Sequence, residues 1–237
     1  MLQKGYASVL EAGDRDQLLS EIVQFTQNLG FETVSAITII DHMLGDAEFL
    51  TLDNTPSDFL SASNDLGRCR LDPVAQHCKH NSVPIIWDQA TYVSAGKGPE
   101  WEHQAQFGYK TGIAMALHMP EGRHFMFGVD RDQALPKHPD ELTRIVADLQ
   151  LFAVHAQYAA DRVLMPKSPA PDVPALTPRE LECLRWTMEG KTAWEVGNIL
   201  GVTERTAVLH LTNATQKLSC VNKHQAVLRA LRLGIFH

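Results

Sequence analysis

The chain is poor in cysteine. Its 237 residues hold only Cys69, Cys78, Cys183 and Cys220, with no Cys-x-x-Cys pair, which argues against both a zinc ribbon and a disulfide framework. No apolar run approaches the ~20 residues of a membrane span. The opening stretch, MLQKGYASVLEAGDRD, meets acids too early for a secretory signal. No GxSxG, HExxH or Cys/His nucleophile pattern occurs, so no enzyme is expected. What the chain does contain is ordinary for a globular protein: 44% apolar and 21% charged residues, too apolar for disorder. At about 150 residues per domain, one large or two unequal domains are expected, in a soluble, cytosolic protein without a membrane partner.

The net charge of −7 hides an asymmetry. Residues 175–237 carry eight Lys/Arg against five Asp/Glu, a balance of +3, while the preceding 174 residues carry 13 against 23, a balance of −10. Only this small basic module is a candidate for phosphate contact. The boundary falls at Pro166-Lys-Ser-Pro-Ala-Pro-Asp-Val-Pro174, where four prolines in nine residues cannot continue a helix and form an extended linker. The expected domains are therefore 1–165 and 175–237, joined by a Pro-rich linker at 166–174.

The large domain alternates helix and strand signals. Asp16 to Leu29 has apolar residues at helical spacing and ends at Gly30. Thr33–Ile40 is rich in β-branched residues and apolar on both faces, so it reads as a strand covered on both sides. Thr111–Met119 and His124–Asp130 form two more strands around a turn at Pro120-Glu-Gly122. Asp72-Pro73 opens a short helix, Pro99–Phe107 forms another, and Pro139–Leu164 is a long amphipathic helix with Leu142, Ile145, Val146, Leu149, Phe152 and Ala153 on one stripe. That stripe exceeds the needs of a helix lying on one sheet, which predicts a homodimer. Strands flanked by helices make an α/β sandwich with room for a pocket between sheet and helices.

The small domain is spelled by its caps. Thr177-Pro-Arg-Glu180 and Thr192-Ala-Trp-Glu195 are capping boxes, Thr203 and Asn222 cap two further helices, and Gly190, Gly201 and Gly234 close turns. Four short helices with a tight glycine turn between the second and third form a helix-turn-helix. The third helix has an apolar stripe of Ala207, Leu211, Ala214 and Leu218. Glu204, Arg205, Val208 and Thr212 lie opposite and are positioned to enter a major groove, with Thr203, Thr206, Asn213 and Lys217 beside them near phosphates.

At these residues the chain resembles a family. Leu176–Leu184, Gly190-Lys-Thr-Ala-Trp-Glu195, Val202-Thr-Glu-Arg-Thr206 and His210–Leu218 look like the DNA-binding domain of LuxR-type transcription factors. Arg70-Leu-Asp-Pro-Val-Ala-Gln-His-Cys78, Pro84-Ile-Ile-Trp-Asp88 and Thr111-Gly-Ile113 resemble the autoinducer-binding domain of that family's quorum-sensing receptors. The resemblance implies an αβα sandwich with an antiparallel sheet, binding an N-acyl homoserine lactone between sheet and helices. It also implies a homodimer on a palindromic operator, with RNA polymerase a further partner and no cofactor. By the same resemblance, Asp72 accepts a hydrogen bond from the ligand amide, Trp87 walls the lactone and Gly112 lets the chain pass close to it. Ala114 and Gly128 are further pocket positions of low polarity. From the residues alone, Asp72 is read first as an N-cap for the helix opened by Pro73, and the resemblance is what favours ligand contact.

The chain departs from the family at two positions. Where the family carries Trp and Tyr donors to the lactone and acyl carbonyls, this sequence has Phe59 and Ser63, so one indole donor is lost and one hydroxyl is too short. The signal molecule is then an amide-bearing apolar compound, a lactone or a relative of one. The competing reading is a regulator that acts without ligand or antagonises another LuxR-type protein by heterodimerising. His77-Cys78-Lys79-His80 is not expected to hold a metal, since positions 77 and 80 share a helix face that 78 does not.

Overall fold

A computed structural model of the chain describes residues 4–42, 46–56, 72–165 and 174–236. Phe59, Ser63 and the linker ahead of Pro174 lie outside these residues. The chain divides into two compact units, Met1–Lys167 and Ser168–His237.

In the first unit, helices α1 (Lys4–Glu11) and α2 (Arg15–Asn28) precede strands β1 (Thr33–Ile40) and β2 (Glu48–Asp53). Helix α3 (Pro73–His80), strand β3 (Ile85–Trp87) and helices α4 (Gln89–Ser94) and α5 (Gly98–Ala105) follow. Strands β4 (Thr111–Met119) and β5 (Arg123–Arg131), joined by a 3-10 turn at Pro120–Gly122, lead into helix α6 (Pro139–Leu164). The strands form one five-stranded sheet in the order β2-β1-β5-β4-β3, every neighbouring pair antiparallel. The expected αβα sandwich is therefore present. Four elements were not visible in the pattern. Strand β3 has three residues, β2 and α4 six each and α1 eight, and none carries enough of a hydrophobic period to register.

Strand alternation separates two cores. Val34 and Ala36 of β1, Ile113 and Met115 of β4 and Phe125, Phe127 and Val129 of β5 join Leu18 and Ile22 of α2 and Leu149 and Phe152 of α6. Phe152 stacks on Phe25 at 3.8 Å and 8°. On the opposite face, Ala114 and Ala116 of β4 and Trp87 of β3 meet Val74 and Cys78 of α3 and Tyr92 of α4. The apolar stripe at 142–153 is spent on the first of these cores: Leu149, Phe152 and Ala153 are buried, with Leu142, Ile145 and Val146 packed against them. It therefore does not argue for a dimer. The exposed apolar residues of α6 are Leu151, Val154 and Tyr158.

The second unit holds α7 (Pro178–Met188), α8 (Ala193–Leu200), α9 (Glu204–Lys217) and α10 (Lys223–Arg232). Both anticipated capping boxes form, Thr177 with Glu180 and Thr192 with Glu195. Gly201 takes φ +67° to end α8, and Val202 then starts the turn into α9. A Cβ on Gly197 would stand 2.9 Å from the Val202 carbonyl oxygen, so glycine permits this close helix-to-turn approach. Cys183, Leu184, Val196, Ala207, Leu211, Ala214 and Leu218 share one small core.

The division of α6 is open to measurement. Phe152→Ala should destabilise the first unit by about 3–5 kcal/mol, whereas Gln150→Ala, at an exposed position two residues earlier, should change it by less than about 0.5 kcal/mol. Urea denaturation followed by near-ultraviolet circular dichroism compares the two.

Candidate functional site

A cavity of about 230 Å³ opens between the sheet and helices α3–α5. Its sheet wall is Ser35 and Ile37 of β1, Ala114 of β4, and Met126, Gly128 and Asp130 of β5. The helical side contributes Val74, Tyr92 and Gln104, with Trp87 at the end of β3. Small residues make the space. A Cβ added to Gly128 would meet nothing closer than the Ala114 Cβ at 3.9 Å.

Asp72 stands at the cavity as the N-cap of α3. Its Oδ1 accepts the Val74 and Ala75 backbone N–H groups at 2.9 and 2.8 Å. Its Oδ2 accepts the Tyr92 hydroxyl at 2.7 Å. Capping and pocket lining are one arrangement: the backbone donors orient the carboxylate, and Oδ2 keeps acceptor capacity toward the cavity. The Tyr92 phenol is pushed up by burial, then by the charge of Asp72 and the hydrogen bond to it. The Cys78 thiol, buried in α3, is pushed up to about 11 by burial and by Asp72.

Trp87 is buried, lines the cavity and meets Tyr92 edge-on at 5.7 Å. Gly112 is not at the cavity wall. It pairs with Trp87 across the β3–β4 ladder, where a Cβ would collide with the Val129 carbonyl and stand 2.7 Å from the indole. Its bareness seats Trp87 rather than exposing backbone to a ligand. Sequence reasoning missed Tyr92 and Asp130. No motif linked Tyr92, twenty residues from Asp72, to its partner. Asp130 was within reach, because it lies two residues beyond Gly128 on the same face of β5. The Asp130 carboxyl is pushed up to about 7, chiefly by burial and then by Asp72, with a Thr33 hydrogen bond acting against them.

In the second unit α9 presents Glu204, Arg205, Val208 and Thr212 exposed, with Thr206 and Asn213 half-buried. Thr203 caps the helix through the Thr206 N–H, and the Thr212 hydroxyl donates to the Val208 carbonyl at 2.9 Å. Arg205 makes no ion pair with another described residue. Lys217, expected near phosphates, is engaged inside the unit: its Nζ donates to Glu180 Oε2 at 2.8 Å and to the Ala175 carbonyl at 3.4 Å. Glu180 is buried, and the same carboxylate oxygen accepts the Thr177 N–H at 2.8 Å. The pair ties the end of α9 to the start of α7.

Comparison with known proteins identifies both units. The profile of the autoinducer binding domain matches residues 14–160, and that of bacterial regulatory proteins of the luxR family matches residues 174–230. The chain belongs to the LuxR-type quorum-sensing transcriptional regulators. It is 30% identical to the transcriptional activator protein SolR of Ralstonia nicotianae over 98% of each chain. It is 28% identical to the quorum sensing-dependent regulator RpaR of Rhodopseudomonas palustris, over 97% of this chain and 93% of that one. Escherichia coli SdiA shares the fold at a TM-score of 0.66, with 23% identity over 96% of this chain and 94% of SdiA. CepR2 of Burkholderia cenocepacia matches at 0.56 and 20% identity, over 70% and 94%. Membership of this LuxR-type family makes the chain a DNA-binding regulator with a small-molecule pocket. The family is one of regulators, not enzymes.

Burial by itself would raise the Glu180 carboxyl, but hydrogen bonds from Lys217 and Thr177 and the Lys217 charge bring it below the usual glutamate range. A carboxyl lowered in the native state contributes stability above its unfolded pKa, and that stability is lost as pH falls through the native value. Lys217→Ala should therefore cost the second unit about 1–3 kcal/mol near neutrality. The cost should shrink on acidification below about pH 4, as seen by thermal unfolding of the full chain across the acid range.

Proposed function

We propose that this LuxR-type regulator is a cytoplasmic homodimer. Its N-terminal cavity takes an N-acyl homoserine lactone or a related amide-bearing apolar signal, and its C-terminal unit reads a palindromic operator, with RNA polymerase as the downstream partner. The observation that carries this reading is Asp72, a carboxylate oriented by two backbone donors and Tyr92 at the wall of an otherwise largely apolar cavity. An acceptor held so rigidly suits a ligand N–H, and Trp87, Ile37, Ala114 and Met126 suit an acyl chain. The ligand-binding positions are Asp72 and Trp87, with Ala114 and Gly128 providing room, and with Phe59 and Ser63 where the family has its carbonyl donors. Gly112 supports Trp87 from behind. A SdiA structure holds octanoyl-rac-glycerol, so the fold admits an octanoyl chain on a polar head.

On the DNA side, Arg205 and Val208 are the base-reading positions, flanked by Glu204 and Thr212. Thr203, Thr206 and Asn213 lie toward the backbone. Lys217 contributes through its tie to Glu180. Dimerisation rests on Leu151, Val154 and Tyr158, an exposed apolar stripe on the outer face of α6.

Expression with and without a lactone panel, followed by mass spectrometry of what co-purifies, tests the ligand half. Asp72→Asn should abolish retention of an amide ligand while lowering stability by only about 1 kcal/mol, because the amide oxygen still caps α3. Retention unchanged in Asp72→Asn would remove Asp72 from the ligand contact.

The DNA half makes its own forecast. Arg205→Ala and Val208→Ala should each change operator preference, by about 1–3 kcal/mol at one base pair of each half-site for Arg205. Selection from a randomised duplex library reads this out, and unchanged preference in both variants would place another element in the groove.

A further inference from the structure

Asp130 is the residue of the cavity that no part of the proposal above uses. It sits at the end of β5, opposite Thr33 of β1 and Gly112 of β4 in the ladder, and lines the same cavity as Asp72. The two carboxyls are treated differently. Asp72 has two backbone N–H groups, a phenol and the first turn of α3 to hold its charge. Asp130 has a hydrogen bond with Thr33.

No lysine, arginine or histidine lines the cavity among the described residues. The neighbouring cations are engaged elsewhere. Arg131 lies over the Phe31 ring at 5.7 Å and donates to the Gln133 carbonyl, while Lys110 pairs with Asp132 at 2.6 Å. Among the described residues, the titratable groups around Asp130 are Asp72 at the head of α3, Tyr92 of α4 and Tyr109 ahead of β4, with Asp53 of β2 beyond Tyr109. All of these become negative or stay neutral, and none of them supplies positive charge.

We propose that Asp130 is a specificity-determining residue, and that the cavity selects an acyl amide whose polar head carries a basic nitrogen. The inference rests on the pocket reading above and names the headgroup that reading leaves open. Asp72 takes the amide N–H, the apolar wall takes the chain, and the ammonium of the head settles against Asp130. An ammonium there complements the negative charge that two carboxylates bring to one cavity. A neutral lactone head instead requires Asp130 to stay protonated. Since burial and Asp72 push Asp130 up to about 7, the two ligand types should respond to pH in opposite directions. The competent fraction of the protein rises with pH for an ammonium and falls for a lactone, by about tenfold each between pH 6 and 8.

The test uses the full chain and two octanoyl amides, N-octanoyl homoserine lactone and N-octanoyl-1,2-diaminoethane, the latter protonated throughout that range. Dissociation constants are measured at pH 6 and pH 8 for the native protein and for Asp130→Asn, which keeps the side-chain shape. The expected result is that the diamine amide binds about tenfold tighter at pH 8 than at pH 6 and the lactone about tenfold weaker. In Asp130→Asn both slopes should vanish, and the diamine amide should lose at least tenfold relative to the lactone. Lactone binding with no pH slope, or an unchanged preference in Asp130→Asn, would overturn the role of Asp130 and leave the amide pocket standing. Binding of neither amide to either protein would overturn the amide pocket and the inference with it.

Discussion

A sheet covered on both faces must bury two sets of side chains, and the N-terminal unit is organised by how differently it does so. Toward α1, α2 and α6 the strands present Phe125, Phe127, Ile113 and Val34, and the helices answer with Phe152, Leu149 and Leu18. These large side chains fill their layer and give it close-packed rigidity. Toward α3, α4 and α5 the same strands present Ala114, Ala116 and Gly128. Ala114 and Ala116 still pack on α3 and α4, but around Ala114 and Gly128 the short side chains leave space between sheet and helices, and that space is the cavity. Both layers follow from one alternation along β4 and β5, so the pocket is a by-product of filling one face fully and the other sparsely.

A cavity of this kind gains meaning from the few polar groups that reach it. Asp72 is placed by secondary structure: a helix start needs an acceptor for its free N–H groups, and Pro73 at the first helical position fixes where that start is. The cap thus delivers a carboxylate to the cavity wall at no additional conformational cost. Tyr92 then locks the second oxygen from a different helix. Asp130 arrives by another route, as the last inward-facing residue of β5, and lacks such an array of donors. The contrast between a carboxylate held by two backbone donors and a phenol and one with a Thr33 hydrogen bond is the chemical content of the pocket.

The C-terminal unit shows the same economy. Capping boxes at Thr177–Glu180 and Thr192–Glu195 start two helices, and the first also supplies the buried carboxylate that Lys217 reaches from the end of α9. Helix α9 is therefore pinned by its last residue to the first helix of the unit, so its exposed face is presented by a fixed frame. Gly197 allows the turn ahead of α9 to lie close against α8, setting the distance between the two helices of the motif.

Much of this was legible locally. Caps, glycine stops, the long helix and the three longest strands depend on neighbours within a few residues, where backbone chemistry and hydrophobic period speak directly. The motifs around Asp72, Trp87 and the third helix of the small domain carried the family. What stayed hidden depends on distance along the chain. The stripe at 142–153 looked surplus because a helix pattern does not say how thick the core beneath it is; with α1 and α2 packed alongside, Leu149, Phe152 and Ala153 are buried and Leu142, Ile145 and Val146 half-buried against them. Lys217 looked placed for a phosphate because its partner inside the unit lies 37 residues away. Gly112 looked like a ligand contact, yet its empty side accommodates an indole from the adjacent strand. Asp130 looked like an ordinary strand end until β1, β4 and the Asp72 cap closed around it. The sequence by itself determined which segments are helices and strands and which family they compose, since those signals are short-range. Only the tertiary structure decided which charges are neutralised and which are left facing the cavity, because electrostatic partnership is set by three-dimensional proximity and burial.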